Sequence, residues 1–132
     1  MAAIRVLIVD NEDLFRQMLR TQLSLSLEIE VVGEASSGQE AIGQAESLGP
    51  EVVLMDIELG AEPNGIEASK SIKRAAPTTG IVLLSMHSDK QFIESTIGDS
   101  PSGWSYLLKK NVRDSSTVVR AIQGAAWGIV AV

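Results

Sequence analysis

The chain has 132 residues, is 45% hydrophobic, carries a formal net charge of −6 and contains no cysteine. That length suits one domain with a real core, and the acidic balance argues against unaided nucleic-acid binding, which needs clustered Lys and Arg. The missing Cys removes disulfides, thiol nucleophiles and Cys-based metal sites, and no apolar stretch approaches the roughly 18 residues that span a bilayer.

The first apolar run, Ile4-Arg5-Val6-Leu7-Ile8-Val9, stops at Asp10, and a strand is predicted over residues 4–10. Asp10-Asn11-Glu12-Asp13 is a polar loop in which Asp13 is the expected helix N-cap. Leu14, Phe15, Met18, Leu19, Gln22 and Leu23 follow at helical spacing and predict a first helix over 13–25. Glu28 to Ala35, with Ile29, Val31 and Val32, reads as a second strand nearer the sheet edge. Ser36-Ser37-Gly38 is a turn and cap, and Ala41, Ile42, Ala45 and Leu48 form the buried stripe of a second helix that ends at Gly49-Pro50.

The stretch 51–56 is the centre of the pattern. Val52-Val53-Leu54-Met55 does not alternate apolar with polar, as expected of a strand buried on both faces, and it ends abruptly in Asp56. A loop with Gly60, Pro63 and Asn64-Gly65 follows; Ile66, Ser69, Ile72 and Ala76 then mark a third helix closed by Pro77. A fourth strand is predicted over 81–86, with Ile81-Val82-Leu83-Leu84 stopping at Ser85. Ser88-Asp89 would cap a fourth helix facing the sheet with Phe92, Ile93, Thr96 and Ile97, and 98–103 is a loop around Pro101. Trp104-Ser105-Tyr106-Leu107-Leu108 is the fifth strand, stopping at Lys109, and Val118, Ala121, Ile122 and Ala125 are the stripe of a fifth helix.

Five βα units without a linker or internal repeat imply an α/β fold with a parallel sheet between helical layers. Such sheets build their sites at the carboxyl ends of the strands. Asp10, Asp56, Ser85 and Lys109 then converge on one edge, and two acids, a hydroxyl and an ammonium suit a divalent cation and a phosphoryl group. No Gly-rich loop follows the first strand, which disfavours nucleotide binding. A phosphatase of the haloacid dehalogenase type needs a second Asp two residues after the nucleophile, where Glu58 stands.

Val9-Asp10, Leu54-Met55-Asp56-Ile57, Ser85 and Tyr106-Leu107-Leu108-Lys109, in this order across residues 4–127, resemble the receiver domain of two-component response regulators. Asp13-Leu14-Phe15-Arg16, Asn64-Gly65-Ile66-Glu67-Ala68 and Ser85-Met86-His87 resemble its LuxR (NarL-like) subgroup, which usually carries a helix-turn-helix DNA-binding domain after the receiver. None follows here, so a truncated regulator is expected ahead of a stand-alone receiver, with any DNA contact confined to that further domain. The resemblance implies one receiver domain over residues 1–132, folded as a doubly wound, flavodoxin-like (βα)5 three-layer sandwich with sheet order 2-1-3-4-5.

It further implies that Asp56 is the phosphoacceptor, a carboxylate nucleophile already ionised at neutral pH. The phosphoryl group would come from a sensor histidine kinase in a self-catalysed, Mg2+-dependent transfer and leave by hydrolysis, which is not classical enzyme turnover. The implied metal ligands are Asp10, Asn11, Asp56 and the backbone carbonyl of Glu58. The family carries a second acid where Asn11 stands; an amide brings no charge, so weaker Mg2+ binding is expected, with Glu12 or Asp13 as compensating candidates. Ser85 would hydrogen-bond a phosphoryl oxygen and Lys109 would pair with it. Ser85 and Tyr106 form the implied switch, relaying the signal to the face of the fourth helix, fifth strand and fifth helix.

The resemblance also implies that Glu58, His87 and Met86 flank the site and tune phosphoryl lifetime and access; Glu58 and His87 read equally well as solvent-exposed loop residues. Gly60 replaces a family Pro, so a more mobile loop is expected. Lys110 replaces another, which puts in doubt the cis bond that usually precedes it. The plainer readings are a loop-solvating Asp56, a snorkelling Lys109 and a half-buried strand aromatic at Tyr106. Expected partners are the kinase and a second copy, through the switch face or the first and fifth helices, with no membrane. A cytoplasmic location is expected, because no basic region precedes an apolar stretch at the N-terminus. The alternative function is a non-phosphorylated pseudo-receiver that only docks proteins, supported by Asn11.

Overall fold

The computed structural model describes residues 2–86 and 103–128. In chain order they form β1 (Ile4–Val9), α1 (Asp13–Ser24), β2 (Ile29–Ala35), α2 (Gly38–Leu48), β3 (Val52–Asp56), α3 (Gly65–Ala75), β4 (Gly80–Ser85), β5 (Trp104–Leu108), a 3-10 turn (Lys109–Asn111) and α4 (Ser115–Ala126). The strands make one parallel sheet in the order β2-β1-β3-β4-β5, as the resemblance implied. The helix expected as the fifth is α4; the helix expected over 88–97, His87 and most of the loop around Pro101 lie outside the described residues.

Strand periodicity explains why the apolar runs do not alternate. Val6, Ile8, Val52, Leu54, Val82 and Leu84 pack with Leu19 and Leu23 of α1 and Val118 and Ile122 of α4. Their neighbours Leu7, Val9, Val53, Met55, Ile81 and Leu83 pack on the other face with Ala41 of α2 and Ala68 and Ile72 of α3. Successive strand residues point to opposite faces, and both faces are covered, so every position must be apolar. Each fully buried Leu, Ile or Val stabilises by about 1.5–3 kcal/mol.

Several local expectations need correction. In α1 only Leu19 and Leu23 are buried; Leu14 is 81% exposed, and Gln22 reaches across to the Val112 carbonyl at 2.8 Å. The spacing found the helix but swept in residues flanking its narrow buried stripe. Asp13 is not the N-cap. Glu12 holds that position without a side-chain cap bond, and Asp13 pairs instead with Arg16 at 2.7 Å. Ile66, Ser69 and Ile72 lie in α3 and are buried with Ala68, whereas Ala76 is its exposed C-cap. Ser37 caps α2 as expected, accepting from the Glu40 N–H, and Gly49 ends that helix at φ 56°. Trp104 is buried packing, whereas Trp127 is 63% exposed.

The start of α3 bears directly on the sheet edge. Asn64 and Glu67 form a capping box, each side chain accepting from the other's backbone N–H. At Gly65 a Cβ would fall 2.0 Å from the Asp56 carbonyl oxygen, so only Gly lets the helix seat against the end of β3. No helix among the described residues is long and apolar enough to cross a membrane.

Candidate functional site

Strand register builds the site. Val9 pairs with Met55, so Asp10 follows level with Asp56 on the neighbouring strand. Asp56 pairs with Leu84, which sets Ser85 one step further on β4, and Ser85 pairs with Leu108, the residue before Lys109. The side chains close the arrangement: Lys109 Nζ lies 2.8 Å from Asp10 Oδ2 and 3.4 Å from Asp56 Oδ2. Asp10, Asp56 and Lys109 are 0%, 1% and 6% exposed, so the plain readings of a loop acid and a snorkelling lysine fail.

Each acid is held by the turn that follows it. Asp10 Oδ1 accepts from the Glu12 N–H at 2.8 Å, and Asp56 Oδ1 accepts from the Glu58 N–H at 3.0 Å. Both Oδ2 atoms are thereby left to face Lys109. Arg16 donates to the Asp10 carbonyl at 2.6 Å and pairs with Glu34 on β2, fixing the loop after β1. The sequence reading missed two contacts of Lys109. Its ammonium also lies 3.4 Å from Glu12 Oε1 and 4.4 Å from the centre of the Phe15 ring. Phe15, the third residue of α1 and five residues after Asp10, was the available signal.

Burial and the negative charge of Asp10 push the Asp56 carboxyl up to about 6, against the opposing pull of Lys109 and the Glu58 N–H. Burial alone lowers the Lys109 pKa, but Asp10, Asp56 and Glu12 outweigh it and hold the ammonium above its ordinary range. Among the described residues the pocket is therefore a negative site with one cation, Lys109, fixed in it.

Asp10 Oδ2 and Asp56 Oδ2 are buried and lack an aligned hydrogen-bond donor; their contacts to Lys109, at 2.8 and 3.4 Å, are charge pairs that leave acceptor capacity on each. Among the described residues no three acids or histidines gather into a self-sufficient metal cage. Two carboxylates with room for water are what Mg2+ takes, since it dehydrates reluctantly and needs few protein ligands. The residues fit that ion.

The remaining expected residues stand around this centre. Ser85 is buried at the end of β4 and Met86 beside it is 62% exposed. Asn11 and Glu58 are exposed on the rim, and Asn11 Nδ2 would lie 3.5 Å from a Cβ placed on Gly60. Tyr106, three residues before Lys109, is half-buried against the α2–α3 layer. Gly60 has φ 81°, which a Pro locked near −65° could not adopt, so the departure from the family pattern has a backbone cause. Among the described residues the one cis peptide is Glu62–Pro63, so the Lys109–Lys110 bond is trans.

Comparison with known proteins agrees with this geometry. The sequence profile of the response regulator receiver domain matches residues 6–130. The transcriptional regulatory protein LnrK of Bacillus subtilis (strain 168) is 35% identical over 119 residues, covering 90% of this chain and 52% of that protein. DegU of Brevibacillus brevis is 31% identical over 125 residues, covering 95% of this chain and 51% of that protein. The chain spans about half the length of these curated relatives. A LuxR-family response regulator from Aurantimonas sp. SI85-9A1 superposes with a TM-score of 0.84 at 27% identity, covering 98% of this chain and 89% of that one. The NarL receiver domain from Mycobacterium tuberculosis gives 0.80 at 25% identity, covering 94% and 99%. The subgroup suggested by Asp13-Leu14-Phe15-Arg16 is thus represented among the matches. The chain belongs to the response regulator receiver domain family.

Proposed function

We propose that residues 1–132 are one receiver domain that takes a phosphoryl group on Asp56 from a sensor histidine kinase. The observation that carries this reading is the buried charge cluster of Asp10, Asp56 and Lys109 at one strand edge. Asp56 attacks the phosphorus of a phosphohistidine or a small acyl phosphate. A P–O bond to Asp56 forms as the donor's P–N or P–O bond breaks, and the donor leaves with the electron pair. Asp10, Asp56, the Glu58 carbonyl and the Asn11 amide would hold Mg2+, which when bound would supply positive charge to offset the incoming phosphate. Lys109 exchanges its Asp56 contact for a phosphoryl oxygen, and the Ser85 hydroxyl donates to another.

As its hydroxyl turns to that oxygen, Ser85 vacates space for Tyr106, and the inward ring shifts the population of conformations at the face formed with β5 and α4. Glu58, His87 and Met86 set how fast water removes the phosphoryl group. The two curated relatives are named transcriptional regulatory proteins and are about twice as long. From this we infer a transcriptional output, exerted in the cytoplasm, with receiver pairing as one route to it. A pseudo-receiver that only docks partners draws support from Asn11 alone, and the intact Asp56–Lys109 pair speaks against it.

The test is intact-mass spectrometry after incubation with acetyl phosphate. One phosphoryl group should be gained with Mg2+, and none with EDTA or in Asp56→Asn. No gain at saturating donor refutes the proposal in favour of the docking reading.

A further inference from the structure

Asn11 leaves the pocket one negative charge short of the family pattern, and the structure supplies a charge one position later. Glu12 N–H is tied to Asp10 Oδ1 at 2.8 Å, which fixes the Glu12 backbone at the mouth of the pocket. Its side chain is 63% exposed, free to lie in water, yet it turns inward and sets Oε1 3.4 Å from Lys109 Nζ. Lys109 thus faces three carboxylates, two of them buried with an Oδ2 that has no aligned donor. Asp13, the other acid in this loop, is excluded by its position. Its side chain is 87% exposed and bound to Arg16. Asn11, whose Nδ2 would lie 3.5 Å from a Cβ placed on Gly60, brings no charge.

We infer that Glu12 carries the charge that Asn11 lacks and acts as a positioning and affinity-determining residue for the divalent cation, a role that rests on the Mg2+ use proposed above. With Asp10, Asp56 and Glu12 against Lys109, the pocket holds the same net charge as one with an acid at position 11 and a neutral residue at 12. In the metal-free pocket Glu12 is spent on the ammonium. When the cation enters, the carboxylate turns from Lys109 toward it, directly or through a bound water, and Lys109 is released to meet the phosphoryl group. The displaced contact is a half-exposed ion pair, which costs little to break.

The test is an NMR-monitored MgCl2 titration, read at the Glu58 and Lys109 amides, of the wild type, Glu12→Gln, Asn11→Asp and the double variant. A unit charge beside a divalent ion near the protein surface changes its affinity by about five- to tenfold at moderate salt. Glu12→Gln should therefore raise the Mg2+ Kd by that factor in the wild type, and by less than about twofold once Asn11→Asp has restored the acid. An unchanged Kd in Glu12→Gln overturns the inference while leaving the receiver function intact. An equal loss in both backgrounds also overturns it, because it marks a structural effect of Glu12. A wild type that binds no Mg2+ overturns this inference and the proposed function together.

Discussion

Replacing Asp56 by Asn removes a charge from a place where charge is costly. The carboxyl is 1% exposed, and burial and Asp10 raise it from its ordinary 3.8 to about 6. Between those two values the unfolded chain has released the proton while the folded chain still holds it. The native state therefore loses stability as pH rises through that window, and the full penalty stands above it. The gap corresponds to about 3 kcal/mol. Asn has nearly the same shape, and its Oδ1 can still accept from the Glu58 N–H, but its amide must be buried at a cost of about 1 kcal/mol. In metal-free buffer Asp56→Asn should thus gain about 2 kcal/mol at about pH 8, and the advantage should vanish by about pH 4. Urea denaturation followed by circular dichroism at both pH values measures this directly. A variant less stable than the wild type at the higher pH, or a gain that is the same at both, would refute the picture of a strained acidic pocket.

Three further substitutions probe the supports of the site, and a fourth, at Gly43, probes a helix away from it. Lys109→Met strips the ammonium from two buried carboxylates and should cost about 2–4 kcal/mol near pH 8, less near pH 5, by the same denaturation assay. Gly65→Ala drives a Cβ into the Asp56 carbonyl oxygen and should cost more than about 2 kcal/mol. Gly43→Ala, mid-helix with nothing within 4 Å of the new Cβ, should instead stabilise by about 0.5–1 kcal/mol. Asn64→Ala loses the side-chain half of the capping box at the start of α3 and should lower stability by about 1 kcal/mol; no change would show that Glu67 alone holds the cap.

The fold was legible because its strands are buried on both faces. Val52 to Met55 must all be apolar when helices cover both sides, and that run identifies the central strand without tertiary information. Asp56 and Asp10 were legible for the related reason that a carboxylate at the end of such a run has to be at the sheet's edge. Helix limits and faces were less so. Leu14 and Met18 fit helical spacing as well as Leu19 does, and only the packing of α1 on the sheet decides which is buried. Glu12 and Asp13 were both candidates to compensate for Asn11, with Asp13 the expected N-cap; the Asx-like turn from Asp10 to the Glu12 N–H directs Glu12 to Lys109 and leaves Asp13 to Arg16. The need for Gly at position 60 is a matter of φ, which no neighbouring residue type encodes.

Under the proposed function the β1, β3, β4 and β5 ends form one phosphoryl-accepting pocket centred on Asp56. Borohydride reduction of protein treated with acetyl phosphate and Mg2+, followed by peptide mass spectrometry, tests it most directly, since reduction turns an aspartyl phosphate into homoserine. Homoserine at position 56 is the expected result. Homoserine at position 10, or at no position under saturating donor, would contradict it.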